Sequence, residues 1–205
     1  MNPIDKISAE KLFAVLRMQE ENKVKDIIKA LYDGGIKIVE VVIETPEMVK
    51  LIEEITKLDD RPMIMAGGII TQRQAQVAIN SGADVIVSPV TQMNLVRLCK
   101  TQRTPLIMTA ATPNEAYSAW KARTQLIKIS PTNPMGGADY IEDLLRPMKF
   151  LDVIAAGSIQ IDDIPAYLRA GAKAVGIGRA LYKDVDLTEI RELAEEAVEK
   201  VRLFK

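Results

Sequence analysis

Short apolar runs recur along the chain and alternate with longer stretches in which apolar residues return every three or four positions. The runs are LFAVLR (12–17), KIVEVVI (37–43), PMIMAG (62–67), DVIVSP (84–89), PLIMTA (105–110), LIKIS (126–130), DVIAAG (152–157) and AVGIG (174–178). Their length and their Val/Ile content predict eight buried β-strands. The stretches between them, such as VKDIIKALYDGG, PEMVKLIEEITKL, TQRQAQVAINSG, NEAYSAWKAR and IDDIPAYLRAG, predict amphipathic helices. LTEIRELAEEAVEKV predicts a last helix. One punctuation repeats: DGGIKIVEV from 33, NSGADVIVS from 80 and RAGAKAVGI from 169 each read as helix end, glycine, strand. Glycine supplies the left-handed cap before the chain turns into the sheet.

Eight β–α units joined by short loops predict a (β/α)8 TIM barrel, with a short extra helix near residues 3–10. A doubly wound open sheet is the main rival, but no GxGxxG turn follows the first strand. No linker, low-complexity tract or charge block divides the chain, so one domain over residues 1–205 is expected.

Three of the eight apolar runs are interrupted or ended by an ion. Lys128 stands mid-strand in LIKIS, Glu40 mid-strand in KIVEVVI, and Arg17 at the end of LFAVLR. Alternation along a strand gives Lys128 the parity of Leu126 and Ser130, and Glu40 that of Ile38, Val42 and Glu44. An ammonium group left dry and unpaired costs several kcal/mol by rough estimate, so Lys128 reaches water, has a partner, or is there to react. The bland reading is a solvated edge for Arg17 and Glu44 and a structural ion pair for Glu40 and Lys128. The functional reading is a lysine and a carboxylate converging in a water-poor cup. A desolvated lysine is a nucleophilic amine that attacks a ketone, and a nearby carboxylate relays the protons. The last two strands end in AAGSI and GIGRA, which place Gly157, Ser158, Gly178 and Arg179 where barrels hold phosphate.

Composition narrows the chemistry by exclusion. The 205 residues include no histidine, which removes Ser-His-Asp and Cys-His catalysis and zinc held by imidazole. Cys99 is the only cysteine, so no internal disulfide or thiolate cluster forms; in LVRLCK it reads as a packing residue on a helix. A net charge of −1 and 4% aromatic residues offer nothing to nucleic acid. No apolar run approaches a membrane span, and Met1–Lys11 lacks the apolar core of a signal peptide, so the cytoplasm is the default expectation.

Taken in order, AVLR, GGIKIVEVVIETP, AGGIIT, GADVIVSPV, IKISP and AAGSI…AGAKAVGIGRAL resemble the 2-keto-3-deoxy-phosphogluconate / 4-hydroxy-2-oxoglutarate aldolase family over about residues 12–200. The resemblance implies a (β/α)8 barrel, a homotrimer, no cofactor, and cleavage of a 2-keto-4-hydroxy acid to pyruvate and an aldehyde. It implies Lys128 as the Schiff-base lysine and Glu40 as the general acid/base. It places Arg17, Glu44, Gly68, Pro89, Ser130, Gly157, Ser158, Gly178 and Arg179 around the substrate. Five of these depart from the family pattern: Glu44 replaces an arginine, Gly68 a threonine, Ser130 an aromatic residue, Ser158 a glycine and Arg179 a serine. The missing arginine is similar to the phosphogalactonate-type branch, in which the strand-1 arginine takes the carboxylate; Arg17 fits that role. Two other readings stay open. One is a non-catalytic relative that binds a sugar acid or phosphate or serves in an assembly; the other is a phosphate-binding isomerase or epimerase.

Overall fold

Eight parallel strands close into a ring in chain order: β1 (Leu12–Leu16), β2 (Ile38–Val42), β3 (Met63–Gly67), β4 (Val85–Ser88), β5 (Leu106–Ala110), β6 (Ile127–Ile129), β7 (Val153–Ala156) and β8 (Ala174–Ile177). The computed structural model describes residues 1–18 and 21–204 and, at residues 21 and 22, the backbone alone. Helix α1 (Pro3–Glu10) precedes the ring. Around it run α2 (Glu21–Asp33), α3 (Pro46–Thr56), α4 (Gln72–Asn80), α5 (Asn94–Gln102), α6 (Pro113–Lys121), α7 (Gly137–Leu145), α8 (Ile164–Arg169) and α9 (Leu187–Arg202). This is the expected (β/α)8 barrel with its short leading helix.

Each strand is shorter than the apolar run that predicts it. Arg17, Ser130 and Gly157 lie one residue past β1, β6 and β7, where the backbone leaves the ladder for a loop. The sequence pattern names no helix between β6 and β7, yet α7 is there. Gly136 and Gly137, with φ of 121° and 69°, stand at its start and hide the onset of the helical period. The three glycines expected to end helices do so: Gly35, Gly82 and Gly171 have φ of 96°, 85° and 105°, a region costly for any residue with a Cβ.

The period of two along the strands sorts the core into two shells. Phe13, Ile38, Met65, Val87, Ile107, Leu126, Ile154 and Ala174 point inward and pack together, and α1 adds Ile4 and Ile7 beneath them. The alternate residues, such as Ala14, Val39, Ile64 and Ile86, pack outward against the helices. Cys99 on α5 belongs to this outer shell, and burial pushes its thiol up to about 11, as a packing residue requires. Among the described residues no helix is long and apolar enough to cross a membrane.

Candidate active site

Strands β2 and β6 are four places apart in a ring of eight, so they face each other across the interior. Glu40 lies between Ile38 and Val42 on the inward face of β2, and Lys128 shares the inward face of Leu126. Their side chains cross the interior and meet. Lys128 Nζ donates to Oε1 and Oε2 of Glu40 at 2.8 and 2.7 Å. The side chains are only 9% and 4% exposed. Either charge alone would be strongly unfavourable here, while two short charge-assisted hydrogen bonds offset much of the desolvation of both.

Room for the carboxylate comes from Gly67, whose register partner on β2 is Val42. A Cβ at position 67 would stand 2.6 Å from Glu40 Oε1 and 3.0 Å from Glu40 Cγ. Real Cβ contacts are not that close, so any larger residue would push the carboxylate off the ammonium.

The pair forms the floor of a cavity of about 490 Å³ that opens at the C-terminal ends of the strands. Arg17, Glu40, Lys128, Ser130, Gly157, Ser158, Gly178 and Arg179 all line it, so the structure brings together eight of the residues singled out from sequence. Arg179 begins a 3-10 turn after β8 and makes no ion pair among the described residues. Arg17 Nε lies 3.8 Å from Glu44 Oε1 in a well-solvated pair at the rim. Glu44 therefore touches the site only through Arg17. Gly68, with φ of 79°, packs against Val42 and Ile43, and Pro89 is exposed just past β4; neither lines the cavity.

Tyr182, Gln160 and Val42 line the cavity and escaped the sequence reading. The Tyr182 hydroxyl accepts the Arg17 backbone N–H at 3.4 Å. A signal for it existed: in GRALY it follows Arg179 by three residues, and a 3-10 turn stacks i over i+3. Among the described residues no group of three or more His, Cys, Asp or Glu is placed to hold a metal ion.

The family model for KDPG and KHG aldolases matches residues 4–200. The chain belongs to this aldolase family. A probable 2-dehydro-3-deoxy-6-phosphogalactonate aldolase of Rhizobium meliloti is 26% identical over 175 residues, 84% of this chain and 82% of the relative. The 2-dehydro-3-deoxy-6-phosphogalactonate aldolase of Escherichia coli is 25% identical over 196 residues, 95% of this chain and 94% of the relative. Among solved folds, a KDPG aldolase from Legionella pneumophila, with pyruvate captured at low pH as a covalent carbinolamine intermediate, superposes with a TM-score of 0.84. It is 23% identical, and the match covers 93% of this chain and 95% of that one.

Proposed function

We propose that the chain is a class I aldolase, needing no metal, that cleaves a 2-keto-3-deoxy (phospho)sugar acid or a 4-hydroxy-2-oxo acid to pyruvate and an aldehyde. The observation that carries this reading is the buried Lys128–Glu40 pair on the floor of an open cavity. Lys128 passes a proton to Glu40 and its amine adds to the C2 carbonyl, giving a carbinolamine. Glu40 returns the proton to the departing hydroxyl, water leaves, and an iminium remains. Glu40 then takes the proton of the C4 hydroxyl. The C3–C4 bond breaks, its electron pair moves into the iminium, and the aldehyde departs. Protonation of the enamine at C3 and hydrolysis of the imine release pyruvate and restore the amine. The relative with pyruvate captured as a carbinolamine supports a covalent route of this kind.

The remaining lining residues divide the substrate between them. Arg17 takes the C1 carboxylate, with Ser130 beside it at the exit of β6. The backbone of Gly157, Ser158 and Gly178 and the guanidinium of Arg179 take the distal phosphate or carboxylate. Pyruvate and sodium borohydride should add a reduced pyruvyl group to the peptide that carries Lys128, detected by mass mapping. No adduct, under conditions that label a control aldolase, would end this reading.

One observation favours a second reading, a sugar-acid or phosphate binder without turnover: Glu44 stands by Arg17 where an incoming carboxylate would have to compete with it. That protein would be stabilised by anions in a thermal melt and would form no adduct. A homotrimer is proposed as well, on the family resemblance alone, with the exposed ring cluster of Tyr117, Trp120 and Phe150 as a candidate contact patch. Sedimentation velocity tests it, and a single species at the monomer mass would refute it.

A further inference from the structure

The loop that leaves β6, the lysine strand, is fastened to the turn that leaves β7. Thr132, fully buried, donates to the Ala156 carbonyl twice, from its N–H and from Oγ1, each at 2.9 Å. The next residue continues the pattern: the Asn133 N–H donates to the Gly157 carbonyl at 3.3 Å, and Asn133 Nδ2 to the Ser158 carbonyl at 3.1 Å. Two adjacent residues thus hold three consecutive carbonyls. The loops are in direct contact as well, since a Cβ on Gly157 would stand 2.6 Å from Pro131 Cα.

Peptide groups are planar and trans, so a carbonyl and the N–H that follows it point in opposite directions. Drawing the carbonyls of residues 156, 157 and 158 toward the β6 loop turns the N–H groups of Gly157, Ser158 and Ile159 the other way. All three residues line the cavity. The N–H groups of Ser158 and Ile159 reach no acceptor among the described residues. Ser158 also holds a left-handed φ of 59°, a region costly for a residue with a Cβ, beside Gly157 with φ of 105°. The side chain of Asn133 is the only side-chain donor on the Ser158 carbonyl among the described residues.

We propose that Asn133 is a positioning residue for the distal anion of the substrate. Its amide holds the Ser158 peptide so that the N–H groups of the 157–159 turn face the cavity as an anion cradle. This inference rests on the aldolase reading and adds to it a residue outside the cavity wall. It also makes the cradle depend on the loop that follows the lysine, so one loop serves both ends of the substrate.

The test compares Asn133→Ala with the parent protein in two measurements. Inorganic phosphate is titrated by calorimetry, and pyruvate is trapped on Lys128 with borohydride. Losing this one exposed hydrogen bond predicts phosphate binding about threefold weaker. The KM for a phosphorylated 2-keto-3-deoxy acid rises by the same factor, while the trapping rate and kcat stay within about twofold. Asn133→Leu, which keeps the size but cannot donate and adds no charge, shows the same loss; it serves alone if the alanine variant does not fold. Unchanged phosphate affinity in both variants overturns the proposal. So does a fall in trapping that tracks the fall in affinity, because that marks general distortion of the site. A parent protein that binds no phosphate overturns it too. A parent that binds phosphate but traps no pyruvate sinks the aldolase reading instead, and the titration still judges Asn133.

Discussion

Replacing Lys128 with methionine keeps the length and apolar bulk of the side chain and leaves the Glu40 carboxylate without its partner at both oxygens. With 4% of that side chain exposed, water replaces little of what is lost. Removing one member of a buried pair typically costs about 3–5 kcal/mol. The expected destabilisation is roughly 3 kcal/mol, or about 6–12 °C in Tm for a chain of this size. Urea unfolding at pH 7 reads it directly, and adding Glu40→Gln to Lys128→Met should recover most of the loss. A variant as stable as the parent would refute the claim that the pair is enclosed.

Gly67→Ala places a methyl 2.6 Å from Glu40 Oε1 and should cut both kcat and borohydride trapping about tenfold or more, with the far-ultraviolet spectrum unchanged; normal trapping would refute the crowding argument. Glu44→Gln frees Arg17 from its rim partner and should lower the KM for an anionic keto acid about twofold at low salt, an effect that disappears at high salt. The Cys99 thiol, pushed up to about 11 by burial, should resist iodoacetamide at pH 8 in the folded protein and react only as the chain unfolds.

The barrel was legible because each strand is a short apolar run and three helix ends carry a glycine before the next strand. Glu40 and Lys128 were legible for a related reason: an ion in an apolar run has few explanations, and a reacting pair is one of them. Their meeting was an inference from two separate strands, and the opposed places of β2 and β6 in the ring account for it. Proximity between distant segments was not legible. Nothing in MIMAG shows that Gly67 makes room for the Glu40 carboxylate, and nothing in SPTN shows that Asn133 holds the Ser158 carbonyl. Glu44, Gly68 and Pro89 sit close to the right places in the chain, but a loop leaving a strand no longer alternates. Being one or two residues past the last ladder position does not tell which side faces the cavity.

Helix α1 has a consequence for turnover. By adding Ile4 and Ile7 beneath the inner shell, it stoppers the end of the ring opposite the cavity mouth. A blind cup with its amine at the bottom has a single doorway, and under the proposed reaction the two products must queue. The aldehyde, nearer the rim, leaves first, and pyruvate, tethered below, leaves last. Pyruvate should then compete with the substrate for the empty enzyme, while the aldehyde should act as a noncompetitive product inhibitor.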